Sequence, residues 1–160
     1  MGKEAKTNAM RILERKKVAY SAHEYPHEEG VAVDGVTVAR SLGQDPETVF
    51  KTLVAQGAGG EYFVFVIPAE AGLDLKKAAR AVGQKSVAML HVADLLRVTG
   101  YVRGGCSPVG MKKQYVTVVD ESAAAQPTII VSAGRIGQQI ELAPAGLLAA
   151  ARARYAAVTM

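Results

Sequence analysis

The sequence predicts one domain of the α/β (α+β) class, in which helices are inserted among mixed strands. Three observations predict it. The chain has 160 residues with 49% apolar and 21% charged side chains, which suits a soluble globular protein with one core. Segments of helical and of strand period follow each other without the regular strand-helix-strand order of a doubly wound sheet. No internal repeat or low-complexity linker divides the chain, so residues 1–160 read as a single domain.

The elements follow in order. Residues 4–16, EAKTNAMRILERK, place Ala9, Ile12 and Leu13 on one side of a helix and charges on the other. Residues 18–25 alternate as a short strand. Asp34 caps a helix that runs to Leu42 and stops at Gly43. VFKTLVAQ, residues 49–56, and YFVFVIP, residues 62–68, are rich in β-formers and joined across Gly57 to Gly60, so they form a hairpin. LDLKKAARAVG is a helix with Asp74 as its cap and Gly83 just past its end. A further helix is expected from His91 to Val98. Three short strands follow, YVTVVD, TIIVS and QQIEL, and a last helix, PAGLLAAARARY, opens on Pro144.

Composition narrows the function classes. No apolar run approaches the roughly 20 residues that span a bilayer, and MGKEAKTNAM lacks the apolar region of a signal peptide. A cytoplasmic protein with no membrane partner is expected. The lone Cys106 cannot form an internal disulfide, which agrees with a reducing compartment. A net charge of +4 is mild for a nucleic-acid binder. Basic residues nevertheless gather at Lys3, Lys6, Arg11 and Arg15 to Lys17, at Lys76, Lys77, Arg80 and Lys85, and at Lys112 and Lys113. Solvated helix faces are the plain reading of such groups.

Three motifs invite chemistry. HEYPH, residues 23–27, has the letters of a zinc-protease helix, but Pro26 would break that helix and the local alternation says strand, so no metal site is read here. GYVRGGCSPVGMKK, residues 100–113, has Walker-like glycine spacing with Met111 in place of the required lysine, which argues against an ATP site. Its glycines can still bring backbone N–H groups close to a phosphate or a carbonyl oxygen. Cys106 within it is either a nucleophile or a small buried residue, and the scarcity of histidines favours the latter. Lys51 interrupts the apolar run VFKTLVA, either as an edge lysine that discourages aggregation or as a lysine aimed into a pocket.

Taken together, KTNAMRILE, Tyr20, VFKTLV, LDLKKAARAVG, GYVRGGCSPVGMKK and VSAGRIGQQIEL resemble the YbaK/EbsC family over almost the whole length. These are free-standing aminoacyl-tRNA deacylases related to the editing domain of bacterial prolyl-tRNA synthetases. The resemblance implies a mixed, curved β-sheet with surrounding helices. It also implies release of cysteine from mischarged Cys-tRNA(Pro), and from Cys-tRNA(Cys), by attack of the substrate's own thiol on its ester. Lys51, Gly104 and Gly105 would be catalytic, and Tyr20, Val31, Cys106, Ser107, Gly110, Ser132, Arg135 and Gln139 would bind substrate. Lys112 and Lys113 would face tRNA phosphates. No cofactor or metal is implied. The partner is the aminoacylated 3′ end of a tRNA, and a prolyl-tRNA synthetase that supplies tRNA selection stays open. Two departures bear on substrate preference or rate: Ala133 stands where close relatives often carry a glycine, and Gln139 where some carry an aspartate. An alanyl-tRNA(Pro) deacylase using a positioned water, and an inactive tRNA- or synthetase-binding module, are the alternatives.

Overall fold

A computed structural model describes residues 6–160. Helix α1 (Asn8–Arg15) starts where the Thr7 hydroxyl accepts the Met10 N–H, so the expected start near residue 4 is moved inward, and residues 4 and 5 lie outside the described residues. The chain turns at Lys17, whose φ is 59°, and enters β1 (Ser21–Glu24), shorter than the expected strand over 18–25. Helix α2 (Gly35–Leu42) begins at Asp34, whose carboxylate accepts the Thr37 N–H, and ends at Gly43 with φ 69°. The hairpin β2 (Phe50–Gly57) and β3 (Tyr62–Pro68) forms as its composition predicts. Asp74 caps α3 (Leu75–Ala81) by accepting N–H groups from Lys76 and Lys77. Strand β4 (Val87–Met89), α4 (Val92–Thr99), β5 (Val116–Asp120), β6 (Ile129–Ser132) and β7 (Gln138–Leu142) complete the middle of the chain.

The end of the chain differs from expectation. Helix α5 (Pro144–Ala151) stops at Arg152, which takes a left-handed φ of 53°, and Ala153–Ala156 become strand β8. The expected continuation of the helix to Tyr155 is therefore incorrect. Beyond Arg152 the chain gains a parallel pairing with β5 and sets Ala153 and Tyr155 against the main core, which local helix propensity does not register.

The mixed α/β class holds, with the strands divided between two sheets. One has the order β4-β2-β3-β5-β8 and the other β1-β7-β6. A parallel bridge between Val49 and Ile130 joins them at the start of β2. Side-chain alternation along these strands separates two environments. Phe50, Ile129, Val131, Ile140 and Leu142 point into one core with α1 and α5, while Ile67 belongs to a second core beneath α3. Val49 and Ile130, on the other side from Phe50, pack on Ala39 of α2.

Candidate active site

The junction of the two sheets positions the candidate residues. Two residues beyond the Val49 and Ile130 bridge come Lys51 on β2 and Ser132 on β6, on the face that carries Val49 and Ile130. Ser132 lies opposite Gln139 on β7, and Gln139 lies opposite His23 on β1. Lys51, Ser132, Gln139 and His23 thus form a polar row across four strands. Gln139 is the covered member of the row: Gln44, just past α2, donates from Nε2 to Gln139 Oε1 at 2.9 Å, and Gln139 is 5% exposed. Gln44 Oε1 is buried without a partner among the described residues.

Lys51 is half-buried and makes no hydrogen bond or ion pair with the described residues. Its neighbours along and across the strand on this face are Val49, Leu53 and Ile67. Loss of water around the ammonium holds its pKa below the ordinary lysine range. Farther along the row, His23 Nε2 meets Glu141 Oε1 at 2.7 Å, and the Thr128 hydroxyl donates to Glu141 Oε2. Those hydrogen bonds, Thr128 first and His23 second, hold the Glu141 carboxyl below its usual range.

The turn from β6 to β7 follows Ser132 and precedes Gln139, and the glycine segment packs against that turn. The Gly134 N–H donates to Ser132 Oγ at 3.2 Å, which fixes the hydroxyl side of the turn. A Cβ on Gly105 would stand 3.0 Å from the Ile136 nitrogen, and one on Gly104, at φ 86°, would stand 2.6 Å from Ala32 Cβ. These two glycines are needed because three backbone segments meet there. Val31 is exposed beside Ala32, and Arg135 is exposed on the turn, so both flank the meeting point.

The remaining expected residues occupy different settings. Cys106 is buried and its thiol is pushed up to about 12 by loss of solvent. Ser107 is fully buried, and its Oγ accepts the Val109 N–H at 3.2 Å, so it shapes the loop from within. Gly110 lies against the Tyr101 hydroxyl, which donates to the Val109 carbonyl at 2.7 Å. Tyr20 is not in the row: its ring packs on the α1 core and its hydroxyl donates to Glu14 at 2.6 Å. Burial and Glu14 raise that phenol to about 12. Lys112 and Lys113 are exposed at the far end of the glycine segment, with Lys112 Nζ donating to the Arg97 carbonyl at 3.2 Å. HEYPH begins with the last two residues of strand β1 and holds no helix. Sequence reasoning missed Gln44, and it missed Tyr101, a strut whose ring fills the space over both Gly110 and Gly134. Neither carries a local signal, since each acts on residues distant in sequence.

The arrangement can hold an ammonium beside a hydroxyl on a face sheltered from bulk water, a setting that stabilises negative charge developing on a carbonyl oxygen. Residues 30–150 match the model of the aminoacyl-tRNA editing domain. The chain is 49% identical, over 96% of its length and 93% of the relative's, to an Enterococcus faecalis protein named "Putative Cys-tRNA(Pro)/Cys-tRNA(Cys) deacylase EbsC". Its fold matches that of "a putative trans-editing enzyme for prolyl tRNA synthetase" at TM-score 0.79 and 22% identity, covering 98% of this chain and 99% of that one. The hypothetical protein APE2540 matches at TM-score 0.83 and 22% identity, over 94% of this chain and 97% of that one. With the editing-domain model spanning three quarters of its length and a relative at nearly half identity along almost all of it, this chain belongs to the aminoacyl-tRNA editing domain family.

Proposed function

We propose that the protein is a trans-editing deacylase that releases cysteine from mischarged Cys-tRNA(Pro), and from Cys-tRNA(Cys), with the ester held on the Lys51 face. The observation that carries the site is Lys51: a half-desolvated ammonium, unpaired among the described residues, beside Ser132 at the junction of two sheets. Even a half-buried cation without a carboxylate partner is a cost to the fold that something anionic or strongly dipolar would offset. An ester carbonyl passing to a tetrahedral oxyanion does so.

The chemistry needs no nucleophile from the protein. The substrate's thiolate forms a bond to its own carbonyl carbon, the carbonyl oxygen takes the negative charge, and the ester C–O bond then breaks. The ribose oxygen leaves with a proton, and the cyclic thioester is released to react with water. Lys51 stabilises the oxyanion, while Gly104 and Gly105 supply the backbone of the cradle. Ser132 and Gln139, with Val31 and Arg135 at the mouth, set the position of the aminoacyl group. The high pKa of the buried Cys106 thiol supports leaving it out of the reaction. A prolyl-tRNA synthetase that hands over tRNA is the partner in this reading, and the cytoplasm its compartment. No helix among the described residues is long and apolar enough to cross a membrane.

Matched single-turnover assays on Cys-, Ser- and Ala-charged tRNA(Pro) test the reading. A hydrophobic pocket separates such similar side chains by only about 1 to 3 kcal/mol, so the thiol route is expected to give Cys-tRNA a rate advantage well above that range. Rapid loss of alanine would instead establish the water-based deacylase. Retained tRNA binding with no ester cleaved would establish the inactive module.

A further inference from the structure

A second feature lies at the other end of the glycine segment. A cavity of about 280 Å³ opens between α1, the end of α5 and residues 108–115. Arg15, Lys16, Lys112 and Lys113 are among its lining residues, and no aspartate or glutamate is. Ile12, Pro108, Met111 and Ala150 add apolar surface to the lining, and Gln114, Tyr115 and Thr117 add neutral polar groups. Two of the polar groups are already committed to the fold: Lys16 Nζ donates to the Ala150 carbonyl at 3.1 Å, and Gln114 Nε2 to the Ala151 carbonyl at 2.8 Å. They satisfy the open carbonyls at the end of α5 and hold the walls together. Lys112 rests its stem on Gly100 and donates to Arg97. Arg15 and Lys113 are exposed and have no partner among the described residues.

A lining that joins apolar side chains to cations and neutral polar groups, without a carboxylate, matches the two-sided chemistry of a nucleotide, a planar base with little charge joined to a phosphodiester. The location adds a second constraint. Gly110 lines the cavity, and the same loop reaches Gly104 and Gly105 beside the Lys51 row. Tyr101 packs against both Gly110 of the cavity and Gly134 of the turn that follows Ser132, so one tyrosine ring spans from the cavity to the turn beside the row.

We propose that this cavity is a nucleotide subsite that holds a base and phosphodiester of the single strand leading to the esterified 3′ adenosine. The proposal rests on the deacylase reading of the neighbouring face. It assigns Arg15 and Lys113 to phosphate contact and Ile12, Pro108 and Met111 to the base. The basic stretch of α3 provides an internal contrast: Lys76 and Arg80 are exposed cations of the same kind that do not line this cavity.

Fluorescence anisotropy of a labelled single-stranded RNA ending in CCA, titrated with the full chain over roughly 50 to 200 mM salt, tests it. The double variant Arg15→Gln/Lys113→Gln is expected to bind about tenfold more weakly, with a salt slope lower by about 1.4, since each single-strand phosphate contributes about 0.7. Arg15→Lys/Lys113→Arg, which keeps the charge, should restore both. Lys76→Gln/Arg80→Gln should change neither. No binding by the parent chain, an unchanged affinity in the first variant, or an equal loss in the α3 variant would each overturn the subsite. Deacylation separates this from the wider reading: KM for Cys-tRNA should rise with kcat retained. If no variant and no parent cleaves any ester, the deacylase reading fails, and the anisotropy still decides whether the cavity binds RNA.

Discussion

Phe50 and Lys51 are neighbours in one strand and face opposite ways. On the Phe50 side, β2, β6 and β7 contribute Phe50, Ile129, Val131, Ile140 and Leu142 to a buried core. On the Lys51 side the same three strands carry Lys51, Ser132 and Gln139, sheltered by α2 and Gln44 without being sealed. The difference teaches how a small domain divides labour by a period of two: one face supplies the stability that keeps the other, polar face in place. Lys51 has no counter-charge among the described residues, a feature that a face built only for stability would not keep.

The largest expected effect comes from breaking the division at Lys51. Lys51→Ala should slow single-turnover deacylation by about 10² to 10³, the cost of losing one well-placed donor to an oxyanion. Its thermal midpoint should stay near that of the parent, because the side chain packs little and pairs with nothing described. Parental rate in a folded Lys51→Ala protein would return the residue to the role of an edge lysine. The opposite break is Ile140→Ala, on the fully buried side. Truncating it should cost about 2 to 5 kcal/mol of stability, read by denaturant unfolding, while the folded fraction still cleaves Cys-tRNA. Gly105→Ala sharpens the comparison where the two faces close on one loop. Its methyl would press on the backbone of Arg135 and Ile136, which cannot rotate away, so a smaller loss of about 1 to 3 kcal/mol in stability and about tenfold in rate is expected. Stability and rate falling independently of each other in this variant would contradict the shared closure.

Much of this frame is legible in the sequence, for reasons that differ by element. Asp74 and Asp34 announce their helices because a cap acts within three residues. The β2 and β3 hairpin is legible because its turn is short and both strands are buried. Lys51 stands out because a charge in the run VFKTLVA violates the surrounding pattern. Strand β8 was hidden, since LLAAARARY favours a helix and only pairing with β5, more than 30 residues away, makes it a strand. The three-residue β4 is too short to display a period. Ser107, which the resemblance places among the substrate-binding residues, is buried with its hydroxyl turned to the Val109 N–H. The row itself is a matter of register between β2, β6, β7 and β1, and register across sheets leaves no local trace.

The ionisation of Lys51 is the sharpest test of what this face does. Stabilising an oxyanion requires the ammonium, and burial lowers its pKa, so activity above spontaneous ester hydrolysis should fall with rising pH below the ordinary lysine value of about 10.4. A guanidinium keeps its charge throughout that range. The deciding measurement is the pH dependence of single-turnover Cys-tRNA(Pro) deacylation in the parent and in Lys51→Arg. The account predicts an alkaline decline in the parent that is absent, or moved to higher pH, in Lys51→Arg at whatever residual rate it retains. The same decline at the same pH in both proteins would contradict it, because the titrating group would then not be Lys51.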